Sequence, residues 1–501
     1  MAAEQGREPR RAALQALDAT ALRAVLAELR PALLPCRFEK AQQADPHTVQ
    51  LGLRSLHGHP WLELSWRAEA PRLLAIPAPH RQGEGSTLAQ QLQHGLRGLT
   101  LVALEQHGWE RVVELRFAPR PGEPPRRSLV LELMGRHSNL FLLDEDRRVI
   151  ALAHQVRDSQ SRLRPIGTGD AYTAPPPLRG DRPNPDESLE SWRRRLCLQP
   201  LPLARALPTA YQGVGPALAR QLCEGLAPAD PAERPEGTVE TEETGRTEEG
   251  MLWSERPVQE LGETQWQILH QSWQRWLEAV ESERFALHWE TDGSWRCWSA
   301  NNGPLPEGAA GEPDGATTPL PINTALARYY AGQLGARRRQ QRRDTLGRRL
   351  QQALEREHQE AHKQQALLEA VPAGEGLREQ ADALLCLPSP SRAQIDEAQK
   401  LYRRARKLRR SAEQILPRLE SHRQKIANLE SSLIFLEQAE DDAALDALEE
   451  ECVPALDQPR RARRPADPQP LELRTTNGLR LQVGRNHRQN EWISLRQARR
   501  G

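Results

Sequence analysis

Two stretches in which apolar residues recur at alternating three- and four-residue steps, Ile322–Val371 and Ile395–Leu448, constrain this chain more than any other feature. Such a repeat lays one apolar stripe along a helix, and a helix with a single stripe needs a partner to cover it. In the second stretch the stripe is Ala398, Tyr402, Ala405, Ala412, Leu419, His422, Ile426, Leu429, Leu433 and Leu436. The first carries a weaker one: Leu350, Leu354, Glu357, Ala361, Gln364, Leu368 and Val371. A break containing Pro372, Gly374, Gly376, Pro388 and Pro390 separates them, so the simplest fold is an antiparallel coiled-coil hairpin. At ~1.5 Å per residue each arm extends on the order of 75 Å. Pro417, inside the second arm, is expected to kink it.

The arm's charges are segregated, although the whole chain balances 69 Lys and Arg against 68 Asp and Glu. Arg328–Arg349 holds eight arginines against Asp344 alone, and Glu437–Glu451 is acidic. Antiparallel pairing brings those two runs together at the base of the arm. The run Lys400, Arg403, Arg404, Arg406, Lys407, Arg409 and Arg410 contains no acid and is expected near the distal end. Like charges three and four residues apart repel, and a polyanion relieves that repulsion. A solvated helix face is the blander reading of each residue taken singly.

Ahead of the arm, Asp18 is a candidate N-cap for a helix carrying Leu22, Val25, Leu26 and Leu29. Strand-like runs follow at Trp61–Trp66, Arg72–Ala78, Arg111–Phe117, Ser128–Met134, Asn139–Asp144 and Arg148–His154, which read as a β-meander. Helical pattern returns near Trp192, at Gly213–Cys223 and at Gln265–Val280, with a further strand-like run at Phe285–Glu290. Residues 227–250 are low in complexity and read as a disordered insertion, and Gly303–Thr318 reads as a second loose loop. The six cysteines are scattered without a CxxC pair, so neither a zinc module nor a disulfide framework is expected, and no metal or other cofactor. With no apolar run of membrane-spanning length and no apolar leader segment, no membrane partner is expected and the cytoplasm is the expected location.

ELMGRHSNLFLLDEDRRVI (Glu132–Ile150) and SRLRPIGTGDAYTAPP (Ser161–Pro176) resemble the MGRHSN signature and the basic continuation of the NFACT family, also catalogued as the fibronectin-binding protein A family. LDATALRAVLAELR resembles the opening helix of cyanobacterial members, GVGPALARQL a helix-hairpin-helix turn, and EAQKLYRRARKLRRSAEQI the returning coiled-coil arm. GLRLQVGRNHRQNEWISLRQA (Gly478–Ala498) is similar to the start of the C-terminal NFACT-R domain. The resemblance implies an α+β chain. An NFACT-N domain over 12–320, with a MutM-like β-sandwich and a helix-hairpin-helix region, precedes the coiled coil over 321–456. An incomplete NFACT-R domain over 466–501 follows, and from its terminal hairpin a basic tail is expected to trail.

The function implied is ribosome quality control. Such a protein binds large (50S) ribosomal subunits that hold peptidyl-tRNA and recruits tRNA, chiefly tRNA-Ala, for C-terminal tailing of stalled nascent chains. It is not itself an enzyme. The tRNA contacts fall on Glu110-Arg111, where many members carry Asp-Arg, and on Arg136, His137 and Asn139. The rRNA contacts fall on the Lys400–Arg410 run and on Asn486, Gln489 and Asn490. The tight turn at Gly135 is also accounted for by a positive φ with Asn139 capping it. Competing readings are a base-excision glycosylase, whose N-terminal proline nucleophile MAAEQG lacks, a protein-binding coiled-coil scaffold, and a fibronectin-binding adhesin.

Overall fold

The computed structural model describes residues 14–56, 58–80, 86–224, 226, 253–290, 292–299, 321–369, 373–456, 470–475, 479–485 and 487–497. The low-complexity 227–250, the loop 303–318 and Asn486 lie outside them. The chain forms two compact units, Met1–Ala331 and Gly332–Gly501.

The first unit is built on a nine-stranded antiparallel sheet, in the order β4-β3-β2-β1-β5-β6-β7-β8-β9. The strands are β1 (Cys36–Asp45), β2 (Thr48–Arg54), β3 (Trp61–Ser65), β4 (Arg72–Ile76), β5 (Thr100–Gln106), β6 (Val112–Ala118), β7 (Arg127–Glu132), β8 (Asn139–Leu143) and β9 (Val149–Leu152). Helix α1 (Ala19–Leu33) packs on β4 and β5 and buries Leu22, Val25, Leu26 and Leu29. Its N-cap is Asp18, whose Oδ1 accepts from the Ala21 N–H at 2.7 Å. Helix α2 (Thr87–Gly95) covers β1 and β9. Six of these strands are legible as runs of Val, Leu and aromatic residues. β1, β2 and β5 are not, because Lys40, Gln42, Gln43, Gln50 and Gln106 interrupt them.

A helical cluster completes the unit: α3 (Leu189–Leu196), α4 (Leu203–Ala210), α5 (Pro216–Glu224) and α6 (Glu263–Glu281). Its core is aromatic. Trp273 lies 4.8 Å from Trp276, 5.7 Å from Trp192 and 4.7 Å from Tyr211, between ring centroids. Much of the chain's unusual tryptophan content is placed by this packing, since Trp192, Trp266, Trp273, Trp276 and Trp298 are all fully buried within it. The strand expected at Phe285–Glu290 shrinks to β10 (His288–Trp289), paired with β11 (Trp295–Arg296).

Helix α7 (Pro321–Glu369) starts in the first unit, where Asn323 donates to Glu28 and accepts from the Ala75 N–H. In the second unit α8 (Ala373–Leu385) and α9 (Arg392–Gln438) follow, then α10 (Asp442–Leu456). The hairpin is antiparallel: Glu357 of α7 meets His422 and Lys425 of α9, Gly347 sits against Leu436, and Asp382 of α8 meets Tyr402.

Three expectations change here. The break expected at Pro372–Pro390 is mostly helix, and the chain reverses between Leu385 and Arg392, where Ser391 and Gln394 close a capping box. The second heptad stretch ends at Gln438, and Asp442 opens a separate helix, because its carboxylate-rich face has arginines to meet. The tail expected to trail from the terminal hairpin is partly ordered. β12 (Leu471–Arg474) pairs with β13 (Arg480–Val483), and α11 (His487–Trp492) follows. Arg485 holds Asp441 through both carboxylate oxygens, at 2.8 and 2.9 Å. Helix α9 runs on through Pro417.

Candidate nucleic-acid interface

In the first unit, pairing fixes which loops share an end of the sheet. Thr48 pairs with Ser65, Ser65 with Arg72, Val112 with Glu132 and Glu132 with Asn139. Loops 45–48 and 65–72 therefore share one end of β1–β4, and loops 107–111, 133–138 and 153–165 share one end of β5–β9; the two groups meet where the Ala68 carbonyl approaches Gly135 and His47 approaches His154. The Leu133 N–H donates to the Arg111 carbonyl at 2.8 Å, which sets Glu110-Arg111 beside the 133–138 turn.

Gly135 takes φ +58° and opens a 3-10 turn through His137 that leaves Arg136 and His137 exposed. Arg136 Nε donates to His137 Nε2 at 3.0 Å, so the two side chains form one exposed surface whose charge is that of Arg136. Asn139 is buried and committed to structure. Its Nδ2 donates to the His154 carbonyl, and its Oδ1 accepts from the Leu140 and His154 N–H groups. Glu110 is committed as well, accepting from the Leu178 N–H at 3.0 Å. Burial raises the Glu110 carboxyl above its usual range, with the Leu178 N–H and Arg111 opposing. The acidic member of the expected dipeptide thus anchors the connector after Pro175, and Arg111 remains, half-buried and without an ion pair among the described residues.

What holds these loops is a set of buried ionic contacts. Glu132, 1% exposed, takes both Arg164 Nη atoms at 2.8 and 2.6 Å and the Tyr172 hydroxyl at 2.8 Å. Burial and the Glu132 carboxylate push the Tyr172 phenol well above its usual range, so it stays a donor. Glu114 binds His107 and Arg147. Burial opposes its ionisation, but the bonds from His107 and Arg147 outweigh burial and hold it well below the usual carboxylate range. Arg67 holds Asp45 at 3.0 Å. The exposed Arg157 and Arg162, with Asp158 between them, stand on the 153–165 loop at the same end of the sheet as Arg136. His154 and His47 approach closely enough that burial and then His47 lower the His154 pKa. Sequence reasoning missed Arg157, Arg162, His47 and His154; the basic stretch RDSQSRLR was the available signal for the two arginines.

Trp109, two residues before Arg111, is packed on three sides. Its ring lies 4.5 Å below the Arg23 guanidinium and 5.5 Å from Trp276. Gly213, at φ +76°, backs against it so closely that a Cβ there would stand 2.7 Å from the ring.

In the second unit, α9 presents Leu401, Tyr402, Ala405 and Leu408 toward α8, and these four fall within about a third of the helix circumference. The basic residues occupy the rest. Arg403, Arg404, Arg406, Arg409 and Arg410 are exposed and carry no ion pair among the described residues, whereas Lys400 reaches Glu397 at 3.4 Å. Lys407 is exposed on the same surface. At the base of the arm the arginines are answered: Arg342 meets Asp446 at 2.5 Å and Glu449 at 2.9 Å, and Arg339 meets Asp442. Gln489 is buried, its Oε1 accepting from the Arg485 N–H, so it is committed to the end of the terminal hairpin, whereas Asn490 is exposed beside Gly484. Among the described residues no cluster of His, Cys, Asp and Glu is placed to hold a metal ion, and no helix is long and apolar enough to cross a membrane.

The profile of a family described as NFACT N-terminal and middle domains matches residues 18–392 and 389–464. A Streptococcus pneumoniae (strain D39) protein named Rqc2 homolog RqcH is 28% identical over 212 residues, 41% of this chain and 38% of that protein. The Bacillus subtilis (strain 168) protein of the same name is 28% identical over 200 residues, 39% and 35% of the two chains. The chain thus spans well under half the length of these curated relatives in the matched stretch. A solved N-terminal part of the fibronectin/fibrinogen-binding protein of Streptococcus suis aligns with TM-score 0.43 and 19% identity, covering 63% of this chain and 99% of that one.

Proposed function

The chain belongs to the NFACT family, and on that premise we propose that it is a ribosome-associated quality-control factor that binds RNA through two surfaces, one on each compact unit. The observation that carries the reading is the row Arg403, Arg404, Arg406, Arg409 and Arg410, exposed and unpaired among the described residues, on a chain that balances its charges elsewhere. Side chains held that way lose little on meeting a phosphate backbone, and the counterions they release drive binding. In this reading the coiled-coil arm engages rRNA of a large subunit carrying stranded peptidyl-tRNA. Arg111, Arg136 and His137 hold an incoming tRNA, tRNA-Ala by family analogy, for tailing of the nascent chain. The protein positions these RNAs and performs no bond chemistry; peptide transfer belongs to the ribosome.

The test is co-sedimentation with free 50S subunits across a salt series. Replacing Arg403, Arg404, Arg406 and Arg410 together by Glu is expected to release the protein from the subunit, and wild-type binding is expected to fall steeply with salt. Unchanged sedimentation of the charge-reversed protein, or flat salt dependence, overturns the reading. Arg111→Ala and Arg136→Ala are each expected to lower tRNA recovery by roughly 5- to 100-fold at an unchanged melting temperature.

A further inference from the structure

We propose that Trp289 and Tyr329 form a stacking platform for an unpaired nucleobase of the RNA held at the adjoining end of the sheet, an inference that rests on the RNA-binding reading above. Among the described residues Trp289 is the one aromatic side chain in the exposed large-hydrophobic class, 50% exposed in a chain whose other tryptophans are largely inside. Its ring leans on Tyr329, with centroids 5.6 Å apart and planes at 49°, while half of the residue stays exposed.

The platform is braced from behind. Tyr329 contacts Tyr330 at 5.1 Å and Trp295 at 6.3 Å. Gln15 ties both supports down: it exchanges bonds of 2.6 and 3.0 Å with the Trp295 backbone, and its carbonyl accepts from the Tyr330 hydroxyl at 2.6 Å. A ring fixed in this way loses little freedom when a base stacks on it.

Its position ties it to the RNA-binding end of the sheet. The Arg72 guanidinium lies 5.7 Å from the Tyr330 ring, and Arg72 opens β4 at the end where loops 65–72 and 133–138 meet. The Ala68 carbonyl of the first loop approaches Gly135, next to Arg136. Arg328, exposed and without an ion pair among the described residues, precedes Tyr329 and supplies a cation for the phosphate of a stacked nucleotide. A half-exposed aromatic ring whose supporting Tyr329 is preceded by the unpaired cation of Arg328 matches a nucleotide, whose base is uncharged and polarisable and whose phosphate is anionic. An aliphatic partner would need an apolar surround, and Arg328 is not one.

The experiment measures full-length protein against two labelled hairpin RNAs of equal stem, one with a short single-stranded extension carrying 2-aminopurine and one blunt. Wild type is expected to bind the extended RNA more tightly and to alter 2-aminopurine fluorescence. Trp289→Ala is expected to lose about 10-fold in affinity for the extended RNA, keep its affinity for the blunt one, and leave the salt slope unchanged, because stacking releases no counterions. Trp289→Phe, which keeps a π face, is expected to fall between. If wild type prefers the extended RNA and Trp289→Ala does so equally, or if wild type binds both equally, the platform is refuted while the RNA-binding reading stands. If wild type binds neither RNA, both fall.

Discussion

Replacing Glu132 with Gln tests the ionic anchor that sets the 153–165 loop beside Arg136. The substitution keeps the volume and one acceptor, but it turns the second oxygen into an N–H group facing a guanidinium. Glu132 is 1% exposed and Arg164 16%, so water cannot replace what is lost. Two bonds from Arg164 at 2.8 and 2.6 Å and one from Tyr172 at 2.8 Å are weakened or removed. Charged hydrogen bonds contribute about 1.5–3 kcal/mol each, and stranding one partner of a buried pair costs roughly 3–5 kcal/mol. A loss of about 3–4 kcal/mol is therefore expected, read by urea denaturation followed through tryptophan fluorescence. Glu132→Leu combined with Arg164→Met removes both charges and is expected to recover most of it, since two matched apolar side chains replace the pair at little net cost. A Glu132→Gln protein within about 1 kcal/mol of wild type refutes the reasoning, because that is the worth of an exposed pair.

Glu114 makes stability depend on acid. Its folded pKa lies below the unfolded value, so its contribution is complete above about pH 5 and drains away as pH falls toward the folded pKa; Glu114→Gln is expected to flatten acid denaturation in that window. Leu350, fully buried among Leu346, Leu436, Leu445 and Leu448 at the arm's base, is expected to cost about 2–5 kcal/mol when changed to Ala, measured by chemical denaturation.

The elements that were legible in the sequence are those whose local pattern agrees with their burial. Leu129, Val130 and Leu131 of β7 and Leu140 through Leu143 of β8 are buried and read as strands. β1 did not, because Gln42 is buried by bonding Gln50 across the sheet, a partnership that no single run displays. α8 was hidden for a related reason: Gly374 and Gly376 read as a break, yet the helix forms because α9 offers Ala405 and Leu408 to pack against. At the candidate site the residue types were legible and their commitments were not. Asn139, Glu110 and Gln489 look available until the backbone groups they serve, at His154, Leu178 and Arg485, are in place. Arg157 and Arg162 reach the end of the sheet that carries Arg136 through the fold-back that Arg164 anchors.

The uneven distribution of charge in the second unit also bears on how a partner is met. Where α7 meets α10, carboxylates cancel the arginines, so a distant polyanion exerts little net pull there. Toward the reversal between Leu385 and Arg392 the guanidinium groups are uncancelled, and a polyanion's field exerts a torque on such a body before contact. The arm therefore turns its reversal end forward over the last Debye length, about 8 Å at physiological salt. Added salt shortens that range, so it slows arrival far more than it hastens departure, and the encounter rate carries most of the ionic-strength dependence of binding.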